Sequence, residues 1–249
     1  LKNGIVINKS LMINGNGHVI DGSNQARLFN LTTNSIELYN FILVNGYAEK
    51  GSVIYSNAAG DKLFSSIVLN STGSVIYCPF WFAANENWFG NTIDDYDVAP
   101  VVEGDQIELN KWLFLTVDVS KFDLFVGDKA IITLNLTNMY DATKGTNSTF
   151  TGIIPVTFDL SCVGGDINVS EATLIDGVAE LEFIGDGMGP GYLEASYYNV
   201  NEEFYFNVSC DDDSFTALQK LIDNANGKIV LQHDYRYYDY DEKLKGGIL

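Results

Sequence analysis

Leu28-Phe29-Asn30-Leu31-Thr32, Ser52-Val53-Ile54-Tyr55-Ser56 and Ser74-Val75-Ile76-Tyr77-Cys78 are three versions of one pattern, set 24 and 22 residues apart. A second pattern runs between them. Ser35-Ile36-Glu37-Leu38-Tyr39-Asn40-Phe41-Ile42-Leu43 is answered 26 residues later by Asp61-Lys62-Leu63-Phe64-Ser65-Ser66-Ile67-Val68-Leu69. The runs are short, β-branched and apolar, and Gly and Asn break them without helical periodicity. A drifting period of this size fits the coils of a parallel β-solenoid, in which each coil stacks its strands on those of the coil below. Val, Ile, Leu and Phe would then point inward, with Asn and Gly at the corners. Evenly spaced hairpins in a β-meander give weak repeats of the same kind and are the alternative.

A longer recurrence frames the chain. Leu1-Lys2-Asn3-Gly4-Ile5-Val6 returns as Leu244-Lys245-Gly246-Gly247-Ile248-Leu249, an offset of 243 residues. We read this as one period of a repeating protein with the start of the next period attached.

Charge divides the 249 residues. Residues 1–90 carry five basic and five acidic groups, residues 91–213 carry 4 and 23, and residues 214–249 carry five of each. The formal charge of −19 therefore sits in the middle block, which argues for a separate domain there. Nucleic acid and anionic lipid are repelled by such a surface. No apolar run approaches the roughly 18 to 20 residues that span a bilayer, and no signal peptide or initiator Met is present, as expected of a mature fragment or an excerpt. Seven Asn-x-Ser/Thr sequons occur, at Asn8, Asn30, Asn70, Asn135, Asn147, Asn168 and Asn207, and these are usable only outside the cytoplasm.

From Trp112 the pattern becomes strict alternation. Leu113, Leu115, Val117 and Val119 share one parity. So do Ile132, Leu134 and Leu136; Val156, Phe158 and Leu160; Ala179, Leu181 and Phe183; Leu193, Ala195 and Tyr197; and Phe204, Phe206 and Val208. Six half-buried strands within about a hundred residues predict an antiparallel two-sheet sandwich. Asn135 and Asn207 fall on its polar parity, so glycans are expected there first.

Residues 214–225 read as the one helix, with Phe215, Leu218, Leu221 and Ile222 on one face, Asp213 or Ser214 as cap and Gly227 beyond the end. A strand, Lys228-Ile229-Val230-Leu231-Gln232, and an aromatic run from Tyr235 to Tyr240 are expected to follow. Residues 79–110 look like neither coil nor regular strand. Their aromatics are expected to plug the solenoid end, with carbohydrate stacking on Trp81 or Trp88 as the sharper reading. Asp94-Asp95-Tyr96-Asp97 offers oxygens to Ca²⁺ but lacks the Gly and distal Glu of a calcium loop, and reads as a solvated linker. Three cysteines cannot all pair within one chain. Cys162 and Cys210 share the inward parity and are disulfide candidates, against two free thiols or a Cys78–Cys210 link.

Asn14-Gly15-Asn16-Gly17-His18-Val19-Ile20-Asp21-Gly22, with Ile7-Asn8-Lys9-Ser10, Ala26-Arg27-Leu28-Phe29 and Asn87-Trp88-Phe89-Gly90-Asn91, resembles the adhesin-like surface proteins of methanogenic archaea. That resemblance implies a right-handed parallel β-helix of the pectin-lyase type followed by a bacterial immunoglobulin-like domain. The expected all-β organisation is a short parallel β-helix at 1–90, a linker or end plug at 91–110, an immunoglobulin-like β-sandwich at 111–210, and at 214–249 a helix-strand cap with the first coil of the next repeat.

The resemblance raises polysaccharide cleavage, which needs converging carboxylates or a Ca²⁺ cluster with an Arg or Lys base. Asp21, Glu37, Glu49, Asp61 and Glu86 are scattered along the solenoid, and His18 and His233 have no nucleophile to serve. No catalytic residue, metal or cofactor is expected. A Lys-to-Asn isopeptide crosslink is not expected either, since no Lys holds an inward parity in the sandwich. Two functions remain: a structural unit of an extracellular cell-surface filament or stalk, or an adhesin for glycans or proteins on other cells. In the first, copies join head to tail, the apolar residues Phe215, Leu218, Leu221, Ile222, Ile229, Leu231 and Ile248 completing a coil that begins at Leu1, Gly4 and Ile5.

Overall fold

A computed structural model describes residues 3–211, 213–231, 233–239 and 241. Three parallel sheets wind through the first half. The first stacks Ile5–Ile7, Phe29–Leu31, Ile54–Ser56, Ile76–Tyr77 and Val102–Glu103, and the second Met12–Asn14, Glu37–Tyr39, Asp61–Phe64, Phe82–Ala83 and Ile107–Glu108. The third begins with Val19–Asp21, Ile42–Val44, Ile67–Leu69 and Asn87–Thr92. Strands of two to six residues alternate with corners, so each coil visits the three sheets in turn. Leu31, Ile36, Leu38, Leu43, Ile54, Leu63 and Ile76 fill the interior with no exposed surface. Corners turn on residues in the left-handed region, among them Asn40, Asn45 and Asn70 at φ of 56, 56 and 50°, where a short polar side chain is tolerated. Asn45 and Asn70 are also stacked, the Asn70 amide donating to Asn45 Oδ1 at 2.6 Å and the Asn45 amide to Asp21 Oδ1 at 2.9 Å.

Register differs by one residue from the sequence alignment at two places. Phe29 pairs with Ile54 and Leu38 with Leu63, where the motifs had matched Phe29 to Val53 and Leu38 to Phe64. A one-residue slip turns every side chain to the other face. Leu38 and Leu63 are both fully buried whereas Phe64 is half-buried, so the observed register stacks inward on inward.

The expected linker at 91–110 is instead part of the solenoid. Val102–Glu103 and Ile107–Glu108 add a fifth rung, with Cys78 N donating to Glu103 O at 2.9 Å and Phe82 N to Gln106 O at 3.1 Å. The boundary at residue 111 is likewise a strand shared by both halves. Lys111–Val119 pairs in parallel with Asn87–Thr92 on one side and antiparallel with Lys129–Asp141 on the other. The third sheet thereby continues through Lys129–Asp141, with Thr146–Thr149 paired beside it, and Val178–Ile184 to Asp166–Ile167 as one nine-stranded sheet. A five-stranded sheet, in the order Asp123–Phe125, Val200–Ser209, Gly189–Tyr197, Val156–Val163 and Glu171–Leu174, faces it. The alternating residues predicted inward line this second core: Ile132, Leu134, Leu136, Phe158, Phe183, Leu193 and Ala195 have no exposed surface.

Val200–Ser209 is ten residues long, about 33 Å at the rise of an antiparallel strand. Val200 lies against Gly90 of the solenoid, while Ser209 pairs with Phe125 at the opposite end. The chain therefore leaves the second core on the side away from the solenoid. Beyond it, Phe215–Asp223 is the expected helix, with the Ser214 side chain accepting from Ala217 N at 3.0 Å. The strand expected at 228–232 is not formed among the described residues of that stretch.

Candidate functional site

The joint between solenoid and second core draws buried side chains from both halves into one core. Ile42-Leu43-Val44 and Ile67-Val68-Leu69 are buried at all three positions, because the third sheet is covered on both faces. Leu43 and Val68 point into the solenoid. Ile42, Val44, Ile67 and Leu69 point out and join the core of the five-stranded sheet. Trp88 anchors this contact with no exposed surface; its ring lies 6.3 Å from Tyr197 and 6.5 Å from Phe158, and its Nε1 donates to Asn91 O at 2.9 Å. Burial at this joint pushes the Tyr197 phenol up to about 12. Trp88 is thus structural and cannot be a sugar platform.

The acidic segment after it is held in the same way. Asn91 Nδ2 donates to Asp95 O and Val98 O at 2.9 and 2.8 Å, and Trp112 Nε1 donates to Tyr96 O at 2.7 Å. Asp94 and Asp95 lie close enough to Glu202 to raise its pKa, though burial is the larger cause. Among the described residues no group of three or more His, Cys, Asp or Glu is placed to hold a metal ion.

Among the described residues of the solenoid, Asp61 is the one fully buried carboxylate. Its Oδ1 accepts from Ile36 N at 2.9 Å, 25 residues back, and its Oδ2 from Ser56 Oγ at 2.7 Å. Burial raises its pKa above the ordinary 3.8 against both hydrogen bonds. The folded chain therefore binds this proton more tightly than the unfolded chain, and stability falls as pH rises from about 3.8 through the raised value. Asn at this position keeps the acceptor for Ile36 N and carries no charge. Its amide can donate to Ser56 Oγ, whose own proton then serves Ala58 O at 3.1 Å. Asp61→Asn is expected to raise the thermal midpoint at pH 7 and to flatten its pH dependence above pH 4, measured by melting at a series of pH values.

No family model, curated protein or solved structure matches this chain.

The predicted surface residues fall into distinct environments. Asn8, Asn70, Asn147, Asn168 and Asn207 are exposed. Asn30 and Asn135 are half-buried within sheets, and Asn30 Oδ1 is buried without a hydrogen bond. Asn135 was expected to be among the most open sequons; its strand has a neighbour on each side, paired through Thr116 and Val178, and its own Oδ1 accepts from Thr137. Cys162 and Cys210 do not pair. Cys162 lies in line with Leu193 and Phe204, six positions short of Cys210 along the strand. That is about 20 Å, against the roughly 7 Å between Cα atoms that a disulfide can bridge. All three cysteines are free, and the buried Cys78 Sγ donates to Ala58 O at 3.3 Å. Cys162 packs against the second core as its parity suggests, but shared parity says nothing of distance along the sheet.

Of the residues expected to join copies, Ile5, Phe215, Leu221, Ile222 and Leu231 are exposed, Leu218 and Ile229 are half-buried and Gly4 is buried. Leu1 and Ile248 lie outside the described residues. The tail already has solenoid-like contacts. Ser214 bridges Arg236 in parallel, Phe215 N donates to Arg236 O at 3.2 Å, and Arg236 N to Asp213 O at 2.8 Å. Asp241, 2% exposed, accepts from Thr216 N at 2.7 Å across 25 residues, the interval at which Asp61 accepts from Ile36.

Proposed function

We propose that the chain is a structural repeat or subunit of an extracellular, cell-surface filament or stalk, without enzymatic activity. Copies join head to tail when the C-terminal segment 214–249 of one completes the β-helix of the next. The observation that carries this reading is the tail's own geometry. It leaves the second core on the side away from the solenoid, and its parallel bridge across 22 residues and its Asp241 hydrogen bond across 25 match the solenoid's rung spacing. The recurrence of the opening sequence 243 residues on agrees with this. Fusion of solenoid and second core through Trp88 suits a load-bearing unit, since hinged modules would not share a core. A heterologous contact of this kind gives an open filament when the rotation does not close.

The immunoglobulin-like reading of the second core belongs with this proposal. Its support is the strand order. Lys111–Val119, Lys129–Asp141 and Val178–Ile184 form one sheet, and Val156–Val163, Gly189–Tyr197 and Val200–Ser209 the other, as in an A-B-E against C-F-G arrangement. Adhesin-like character, archaeal origin and glycosylation of the exposed sequons are part of the same reading. Self-association is the principal partner expected, with cell-wall or host glycans second.

Electron microscopy of native material, with the full chain and a chain lacking residues 214–249 compared by light scattering, tests the proposal. Filaments or stalks of repeating units are expected from the first, and loss of assembly with the second core still folded from the deletion. A deleted chain that assembles as well as the full one overturns it. The alternative, a ligand-binding adhesin, rests on Phe80 and Trp81, 48% and 38% exposed side by side at one corner. Loss of glycan binding in Trp81→Ala, with assembly intact, is the result that would select it.

A further inference from the structure

The seven sequons divide by whether the asparagine side chain is already in use. Asn70 Nδ2 donates to Asn45 Oδ1 at 2.6 Å, and Asn207 Nδ2 to Asp123 Oδ1 at 3.2 Å. Asn30 and Asn135 are half-buried on strands with a neighbour on each side. Asn8, Asn147 and Asn168 are exposed, and their side chains make no hydrogen bond to another described residue.

These last three lie on or directly after strands at sheet edges. Asn8 follows Ile5–Ile7, the first strand of the first sheet. Asn147 is in Thr146–Thr149, which pairs with Lys129–Asp141 alone, and Asn168 follows Asp166–Ile167, the last strand of the nine-stranded sheet. The second and third share one edge. Lys111–Val119 occupies one side of Lys129–Asp141, so Val178–Ile184 and Thr146–Thr149 lie end to end along the other. Beyond Val178–Ile184, Asp166–Ile167 covers only Phe183 and Ile184. Asn168 stands where that cover stops, lining an open hollow with Ile131, Glu180, Leu181 and Glu182. Edge strands present unpaired backbone groups that invite another strand, and charge, Pro or a bulge normally blunts them. Glu180 and Glu182 put charge in the middle of this edge, whereas Thr146-Asn147-Ser148-Thr149 has neither charge nor Pro and is exposed throughout.

We propose that Asn147 and Asn168 carry N-linked glycans that guard this edge and keep copies from pairing through it. The inference rests on the extracellular, glycosylated reading, and names the sequons that serve it and what they do. The sugar donor is a lipid phosphate-linked oligosaccharide. Asn Nδ2 attacks the anomeric carbon, and the C–N bond forms as the C–O bond to phosphate breaks. The phosphate leaves with the electron pair, and one Nδ2 proton passes to a base. At Asn147 and Asn168 the bulky, hydrophilic product displaces no hydrogen bond of the fold. Asn8 has the same freedom, but its edge is the one that head-to-tail joining uses, and it serves as the control.

Glycopeptide mapping of native material tests the sites, and electron microscopy with light scattering tests the guard. The full chain is produced in a host that glycosylates secreted proteins. Beside it are made Asn147→Gln with Asn168→Gln, the same pair with Thr149→Lys added, and Asn8→Gln. Higher occupancy is expected at Asn147 and Asn168 than at Asn30, Asn70, Asn135 and Asn207. Loss of both sugars is expected to add side-by-side association, seen as paired particles or bundled filaments. The added Lys is expected to reverse it, since a charge blunts an edge strand in the same way. Asn8→Gln is expected to behave as the unsubstituted chain. Seven bare sequons in native material overturn the glycosylated reading itself. Glycans on other sequons, with Asn147 and Asn168 bare, overturn the assignment while that reading survives. If both are occupied yet the double variant associates no more than the unsubstituted chain, or Thr149→Lys does not reverse the association, the guard is overturned.

Discussion

Trp88→Ala is expected to destabilise the whole chain by about 3–5 kcal/mol, the range for removing a large buried aromatic, and to do so in a single transition. The side chain has no exposed surface and sits where the outer face of the third solenoid sheet meets Phe158 and Tyr197. Alanine leaves a cavity that neither sheet can close without breaking the nine-stranded ladder. It also strands the Asn91 carbonyl that the indole N–H satisfies, and with it the turn whose side-chain amide holds Asp95 and Val98. A plug at the solenoid end, as the sequence suggested for these aromatics, would be less costly to remove and would leave the second core untouched. Chemical denaturation followed by intrinsic fluorescence of the remaining Trp81 and Trp112 and by far-ultraviolet dichroism separates the two. Coincident curves shifted to lower denaturant are expected. An unshifted curve, or one probe moving without the other, would count against the shared core.

Gly104→Ala is the second change with a large effect. Gly104 has φ of +153°, and a Cβ built there would lie 1.8 Å from Cys78 O. That oxygen is backbone, so no rotamer change relieves the overlap. Strain of this kind and the disfavoured φ together are worth more than about 3 kcal/mol, and the fifth rung is expected to detach. Amide exchange reads this directly. The N–H groups of Val75, Cys78, Phe82 and Ala84 donate to Val101, Glu103, Gln106 and Glu108, so all four are expected to lose protection. If residues 91–110 acted as a linker, the same four amides would exchange at the rate of the unsubstituted chain.

Part of this architecture was legible because strand periodicity is local. Alternation at Ile132, Leu134 and Leu136, or at Phe204, Phe206 and Val208, follows from each strand having one wet face, and every one of those residues is buried. The solenoid repeat was legible for the same reason, while its register was not. Corners of differing length shift the alignment by one residue, and only the inward stacking of Leu38 on Leu63 decides it. The joint escaped notice although a signal existed. Ile42-Leu43-Val44 and Ile67-Val68-Leu69 do not alternate, and unbroken apolar runs in a parallel sheet mean that both faces are covered. Lys111–Val119 hid the boundary by pairing with both halves, which no single-strand pattern reveals. In the tail, Ile229-Val230-Leu231 has the composition of a strand but not the conformation.

Fusion of the two halves is the claim on which the rest depends, and scanning calorimetry of the unsubstituted 249-residue chain tests it most directly. Two domains joined by a linker melt as separate units, whereas a shared sheet and a shared core melt together. One endotherm is expected, with a calorimetric enthalpy equal to the van't Hoff enthalpy. Two endotherms, or a calorimetric enthalpy about twice the van't Hoff value, would contradict the continuous sheet through Lys111–Val119.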